Sequence, residues 1–224
     1  MLKPEVFKAR FQHFRRIDYG TYPYCFGEFW KWKLKTENKS EHILDAANIR
    51  ETHKMISQTL KRWQWHRPYS FTELATRLKD SLERMRDSYN KIRRYSLLEF
   101  DRIPKEQLES IWHELGCVKT FKKNLGGYYL AMATTKPLMF LWGQTLAFDS
   151  VVRKRMPRFN FCGLTNDYWS FETWKKVMVK WQEMLKRRPA IMELFKEISL
   201  EEYGTDSHVP YGQFIDLYYW VRCE

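Results

Sequence analysis

Apolar residues recur at helical spacing along most of this chain, and only 9 glycines and 8 prolines interrupt its 224 residues. Such spacing places apolar side chains on one face of a helix. A pair of helices is predicted between Ser40 and Trp63, where the apolar positions are Ile43, Leu44, Ala47, Ile49, Met55, Ile56 and Leu60. The pattern predicts an all-α protein, built as a compact orthogonal helical bundle.

Cap residues and breakers predict where two of the helices lie. Ser70 and Glu73 have the spacing of a capping box and precede an apolar stripe. Pro104 stands near the start of a further helix, and Gly116 is predicted to end it. The apolar positions of these two helices are Leu74, Leu78, Leu82 and Met85 in the first, and Leu108, Ile111, Trp112 and Leu115 in the second.

Two more helices are predicted over about Phe171–Lys186 and Pro189–Ile198, and the closing segment Phe214–Trp220 is apolar on nearly all sides. Strand signals are weak. Only the aromatic segment Tyr19–Lys35, which lies between a glycine and an asparagine, is predicted as a short β-hairpin or an irregular segment.

Aromatic side chains are abundant, with 15 Phe, 10 Trp and 13 Tyr. Burying so many large rings offsets the entropy of ordering the backbone, so the composition excludes a disordered chain. A chain of 224 residues can bury a substantial core. We predict one helical domain over residues 1–224, and the sequence leaves open a division into two lobes, about 1–105 and 106–224.

The formal net charge of +12 favours a polyanionic partner, and nucleic acid, DNA above all, is the commonest one. The simpler interpretation is a basic surface without a dedicated partner, because net charge constrains partners and not fold. A membrane partner is not expected, since the basic residues are not gathered beside an apolar anchor. Oligomeric state is not indicated.

The four cysteines, Cys25, Cys117, Cys162 and Cys223, lie far apart without a C-x-x-C pair, and the six histidines have no H-E-x-x-H spacing. We therefore expect neither a metal nor a cofactor, and we interpret the cysteines as packed small side chains. No apolar signal core or membrane-length run of about 20 apolar residues is present. These features predict an intracellular, cytoplasmic protein with reduced thiols.

A lysine and an aspartate stand where two successive helices are predicted to begin. Pro137 suits a first helical turn, and the threonines before it can cap that helix, which places Lys136 at its start. Asp149 is predicted as the N-cap of Ser150–Met156, whose backbone N–H groups keep a carboxylate ionised. A lysine beside an apolar pocket loses its charge more readily, and the neutral amine can form a Schiff base.

This stretch resembles the helix-hairpin-helix DNA glycosylase superfamily over about residues 105–160. In that family a helix and a hairpin precede a helix that opens on the catalytic lysine of lyase members. An apolar stretch with glycine then leads to a V-D-x-x-V element that carries the catalytic aspartate. The corresponding residues here are Lys136, Leu138 to Leu141, Gly143 and Phe148-Asp149-Ser150-Val151-Val152. The resemblance implies a glycosylase-like helical fold and base excision from DNA.

The resemblance also implies roles for single residues. Lys136 would attack C1′ of an extruded nucleotide and permit strand cleavage, and Asp149 would stabilise the cationic sugar or deprotonate the nucleophile. Trp142 is our candidate for a ring that stacks on the extruded base. The candidates for phosphate contacts are Arg153, Lys154, Arg155 and Arg158.

Two departures from the family pattern keep other functions open. The family's hairpin consensus L-P-G-x-G, whose glycines bring backbone N–H groups to a phosphate, has no counterpart in Met132–Thr135. The spacing from Lys136 to Asp149 is also several residues shorter. These departures favour the alternative of a non-enzymatic helical protein that binds DNA or RNA. A third interpretation is an assembly protein whose basic surface meets an acidic partner.

Simpler structural roles are predicted for several of the same residues. Asp149 can be only a helix cap, and Lys136 only a solvated lysine. Asp216, in an apolar helix, is predicted to be a buried acid that an arginine or a backbone amide satisfies. The run Trp63–Arg67 is predicted to be a helix end with core tryptophans, and the alternative is a platform for stacking single-stranded bases.

Overall fold

The computed structural model describes residues 3–17, 22–37, 41–63, 65, 68–120, 127–149, 152 and 168–220, and these are predominantly helical. The first helices are α1 (Pro4–Ile17), α2 (Tyr22–Glu37), α3 (Ile49–Arg62), α4 (Phe71–Arg84) and α5 (Arg86–Ile92), followed by a 3-10 helix, Leu97–Arg102. The later ones are α6 (Lys105–Cys117), α7 (Ala131–Trp142), α8 (Phe171–Lys186), α9 (Pro189–Tyr203) and α10 (Tyr211–Trp220). The all-α prediction is confirmed, and the glycosylase-like arrangement stays a prediction.

A short antiparallel ribbon joins two of the helices. Strands β1 (Tyr128–Leu130) and β2 (Tyr168–Ser170) pair so that Tyr129 lies opposite Trp169. Strand β1 runs directly into α7, and β2 runs directly into α8. The ribbon therefore holds the first turns of α7 and α8 side by side.

One buried apolar cluster contains residues from both halves of the chain. The ring of Phe7 in α1 lies 4.9 Å from Phe195 in α9 and 6.1 Å from Phe214 in α10, both edge-on. Deeper in the cluster Trp112 of α6 stacks on Trp174 of α8 at 5.1 Å. Such ring pairs add to the free energy gained by burying apolar surface. The first helix is thus packed against the last two.

Several predicted boundaries match the structure. The helix Phe171–Lys186 has the predicted bounds, and α9 begins at Pro189 but continues to Tyr203, where Gly204 (φ 72°) ends it. The prediction that Gly116 ends α6 is wrong, because the helix runs through it to Cys117. A Cβ at that position would overlap the Tyr129 ring, so this glycine permits β1 to pack on α6.

The N-terminal predictions need correction. Residues 22–37 form helix α2 and not a hairpin, because the aromatic residues Phe26, Phe29 and Trp30 recur at helical spacing and are buried on one face. Residues 41–48 form turns, so the Ser40–Trp63 stretch contains one helix, α3, in place of a pair. Helix α4 begins after Ser70 as predicted, but within the described residues its hydroxyl makes no capping bond.

The segment after α7 is buried and held by backbone hydrogen bonds. Gly143 (φ 72°) ends α7, and its carbonyl accepts the N–H of Gln213 at 3.1 Å. Farther on, the N–H of Ala147 donates to Asp216 Oδ1 at 2.8 Å. The prediction that a backbone amide satisfies a buried Asp216 is confirmed. Helix α10 thereby positions the chain that leads to Asp149.

Close packing of α10 on this segment depends on Gly212. A Cβ there would overlap the backbone of Gln144 and Thr145. We expect Gly212→Ala to lower the free energy of unfolding by about 1–3 kcal/mol, the usual range for overpacking. The matched control is Gly27→Ala in α2, whose Cβ would meet Tyr203 at an ordinary 3.7 Å. That change should stabilise by about 0.5–1 kcal/mol, since alanine favours helix over glycine.

Urea unfolding of the two variants measures both effects. Equal stability of Gly212→Ala and the parent would contradict the close approach of α10 to Gln144 and Thr145.

No helix in the described part of the chain combines the length and apolarity needed to cross a bilayer.

Candidate active site

The two predicted catalytic groups face each other. Lys136 Nζ lies 3.5 Å from Asp149 Oδ2, and the side chains are only 12% and 14% exposed. An amine and a carboxylate at this separation can exchange a proton after a small movement. The roles that the family resemblance implies for Lys136 and Asp149 require these two groups to lie close together. Their short separation does not by itself identify a substrate.

The predicted position of Lys136 at a helix start is wrong. Helix α7 begins at Ala131, because strand β1 ends at Leu130, so Lys136 and Pro137 lie inside the helix. The threonines do not cap it. Thr135 Oγ1 donates back to the Ala131 carbonyl at 2.6 Å, and Thr134 Oγ1 donates to Leu130 at 3.5 Å.

Asp149 makes the contact expected of an N-cap. The backbone N–H of Val152 donates to its Oδ1 at 2.9 Å, three residues along the chain. Val152 is helical, and the rest of the predicted helix Ser150–Met156 lies outside the described residues. One carboxylate oxygen thus contacts the backbone while the other faces Lys136. The cap fixes the orientation of the carboxylate.

A second lysine, which the sequence analysis missed, belongs to the same site. Lys119 follows α6, is 2% exposed, and its amine donates to the Trp65 carbonyl. Burial and, to a smaller extent, the positive charge of Lys136 together lower the pKa of Lys119 to about 8. No motif surrounds Lys119 in the sequence, so only the contact between this residue, just after α6, and the Trp65 carbonyl, just after α3, could reveal it.

Each of the two lysines lies over a tryptophan of the Trp63–Arg67 run. Lys136 Nζ is 5.2 Å from the ring centre of Trp63, and Lys119 Nζ is 5.2 Å from that of Trp65. Both distances are within the range of cation–π attraction. Trp63 caps the end of α3 and is half-buried, whereas Trp65 is a core residue. The predicted helix end is confirmed at Trp63, and of the two predicted core tryptophans Trp65 is in the core whereas Trp63 is half-buried.

The remaining predicted site residues do not join this group. Trp142 is 1% exposed, and its indole N–H donates to the Tyr95 carbonyl at 3.0 Å. Its burial gives no support to stacking on an extruded base. It also lies six residues after Lys136, about 9 Å farther along the helix axis. The predicted phosphate-binding residues lie outside the described residues: Arg153, Lys154, Arg155 and Arg158.

Among the described residues no group of three or more His, Cys, Asp or Glu side chains could hold a metal ion. Comparisons with models of known protein families, with curated proteins and with solved structures found no match. The chemistry of the site is therefore inferred from the Lys136–Asp149 pair, Lys119 and the two tryptophans alone.

Proposed function

We propose that this protein binds DNA and excises a base, with Lys136 as the nucleophile and Asp149 as the carboxylate that activates it. The separation of 3.5 Å between Lys136 Nζ and Asp149 Oδ2 is the observation that supports the proposal most directly. The resemblance of residues 105–160 to helix-hairpin-helix glycosylases supports it independently, because the same two residues match that family's catalytic lysine and aspartate. The net charge of +12 suits a polyanionic substrate.

The proposed reaction begins with a nucleotide extruded from the duplex. Asp149 takes a proton from the Lys136 ammonium, and the neutral Nζ then bonds to C1′ as the N-glycosidic bond breaks. The base leaves with the bonding electron pair and takes a proton from water. The C1′–O4′ bond then breaks, O4′ keeps the electron pair and takes one proton from the adduct nitrogen, and the nitrogen lone pair forms the iminium, a Schiff base between C1′ and Nζ. Strand cleavage can follow from that intermediate.

Borohydride trapping tests this proposal, because it reduces the iminium to a permanent amine link between protein and DNA. We expect the parent protein to be trapped on duplexes that carry damaged bases or abasic sites. Lys136→Ala should give no trapped complex. Lys105→Ala, which removes an exposed lysine paired with Glu172 at 2.6 Å, is the matched control and should trap as the parent does.

Equal trapping of Lys136→Ala and the parent would reject Lys136 as the nucleophile. The comparison with Lys119→Ala then shows whether the second lysine of the site forms the adduct. Absence of both base release and trapping across a panel of lesions would reject the proposed activity as a whole.

The limited exposure of the pair favours a second candidate, a non-enzymatic nucleic-acid-binding protein. At 12% and 14% exposure the Lys136–Asp149 pair can be a structural ion pair. On this hypothesis binding falls steeply with salt concentration and survives both Lys136→Ala and Asp149→Asn. Binding to duplex DNA, single-stranded DNA and RNA is measured between about 50 and 200 mM salt. Salt-dependent binding together with no base release and no trapped complex favours this second candidate.

A further inference from the structure

A cavity of about 60 Å³ lies beside the C-terminal end of α7, at the opposite end of the helix from its junction with β1. Helix α2, the chain after α5 and the loop before α10 contribute its walls. The lining residues on which the inference rests are Trp30, Lys33, Glu37, Arg93, Arg94 and His208. None of them belongs to the Lys136–Asp149 site.

Positively charged side chains outnumber negatively charged ones around this cavity. The side chains of Lys33 and Arg93 are only 4% and 6% exposed, and both approach the same oxygen of Glu37. Lys33 Nζ lies 3.7 Å from Glu37 Oε2, and Arg93 Nη1 lies 3.9 Å from it. Both distances exceed the roughly 2.7–2.9 Å of a charge-assisted hydrogen bond. One carboxylate thus faces two buried cations, and the exposed Arg94 adds a third.

The pKa values of two lining groups reflect the charges around the cavity. Burial lowers the pKa of Lys33, Glu37 opposes that effect, and the charge of Arg93 adds to it more weakly than Glu37 opposes it. Burial also lowers the pKa of His208, and the charges of Lys33, Arg93 and Arg94 act in the same direction while Glu37 opposes them. Buried cations without full compensation destabilise a fold, so an anion between them would stabilise it.

One of the lining residues, Trp30, also carries a neutral donor. Within the described part of the chain the indole N–H of Trp30 is buried and has no hydrogen-bond partner. Buried polar groups in native proteins are nearly always satisfied by protein, water or ligand. The Ser96 side chain is a further lining group, and its hydroxyl already donates to Glu99 Oε2 at 3.2 Å.

We propose that this cavity binds a phosphate-sized oxyanion between Lys33, Arg93 and Arg94. The ligand is inorganic phosphate or the terminal phosphate of a nucleic acid, which present the same oxygens to the same donors. A volume of about 60 Å³ has room for a group of this size. Arginine matches phosphate geometry with paired N–H donors, and partial burial strengthens the bonds. This site is independent of the proposed base excision.

Calorimetric titration of the parent protein with inorganic phosphate tests the site, with sodium chloride holding the ionic strength constant. We expect saturable binding and a rise in melting temperature. Arg94→Gln, at an exposed position of the rim, should weaken the affinity about tenfold, the effect of one lost charge-assisted hydrogen bond. Arg102→Gln, another exposed arginine, which pairs with Glu99 at 3.9 Å outside the cavity, should bind as the parent does.

No saturable binding by the folded parent, or equal affinity of Arg94→Gln and the parent, would overturn the proposal. Arg93→Gln is a stricter variant, but Arg93 is buried against Glu37 and its loss can unfold the protein. Arg94→Gln and Arg102→Gln keep the test decisive in that event.

Short oligonucleotides with and without a 5′-phosphate distinguish the two sources of the ligand. A terminal phosphate that tightens binding in the parent and not in Arg94→Gln supports the site and assigns it to nucleic acid. Saturable binding of inorganic phosphate, without any effect of the 5′-phosphate on oligonucleotide binding, supports the site and assigns it to the free ion.

Discussion

Asp149→Asn is expected to slow base release by about 10³-fold and to leave the fold intact. Asparagine caps helices as well as aspartate does, so the N–H of Val152 keeps an acceptor at position 149. The neutral amide, in contrast, cannot take a proton from Lys136 or stabilise a cationic sugar. Positioned acid–base groups contribute about 10²–10⁴-fold to rates. Single-turnover release of the base from a damaged duplex measures the loss.

A matched control separates this effect from the loss of any lysine–carboxylate pair. Glu172→Gln removes the exposed ion pair with Lys105. It should leave the rate of base release unchanged and change the free energy of unfolding by no more than about 1 kcal/mol. The melting temperatures of the parent, Asp149→Asn and Glu172→Gln show how far Asp149→Asn destabilises the fold. Parental rates in Asp149→Asn, together with a lowered melting temperature, would make the Lys136–Asp149 pair structural.

The second large effect concerns Lys119 and pH. The pKa of Lys119 is lowered to about 8 in the folded protein, against an ordinary value near 10.5. Below pH 8 both folded and unfolded states hold the proton, and burial of the charge destabilises the fold by a constant amount. Between pH 8 and 10.5 the unfolded state holds the proton more tightly, so stability rises with pH. The rise attributable to Lys119 is about 3 kcal/mol.

Urea unfolding of the parent and Lys119→Met at pH 7 and pH 10 measures this rise. Other groups titrate in both proteins, so the expected result is a difference between the two curves that changes by about 2.5 kcal/mol between pH 7 and pH 10. Lys119→Met also leaves the Trp65 carbonyl without the Lys119 amine. That loss affects the free energy of unfolding equally at both pH values, so it cancels when the parent–variant difference at pH 7 is subtracted from that at pH 10. Lys79→Met, at an exposed lysine paired with Glu83, is the control and should run parallel to the parent. Parallel curves for Lys119→Met would mean that Lys119 has an ordinary pKa in the fold.

The sequence predicted the bounds of a helix correctly where residues close together in the chain determine where that helix begins and ends. The bounds of α8 follow from its apolar spacing and from Ser170, whose hydroxyl accepts the N–H of Thr173 at 3.1 Å. The prediction of a hairpin or an irregular segment over Tyr19–Lys35 is wrong for the described residues from Tyr22 onward, because aromatic residues suit strands and buried helices alike. The start of α7 was misplaced by five residues, because pairing of β1 with β2 outweighs the preference of Pro137 for a first turn.

The sequence by itself determined a helical, aromatic-rich and basic protein, and it identified Lys136 and Asp149 as an amine and an acid near each other along the chain. Only the tertiary structure decided that these two groups meet at 3.5 Å, that Lys119 and two tryptophans lie beside them, and that Trp142 is in the core. Helical spacing is a short-range property that a single segment carries. Contacts between α3, α6 and α7 arise from packing residues far apart in the chain, and so does the cationic cavity between Lys33 and Arg93.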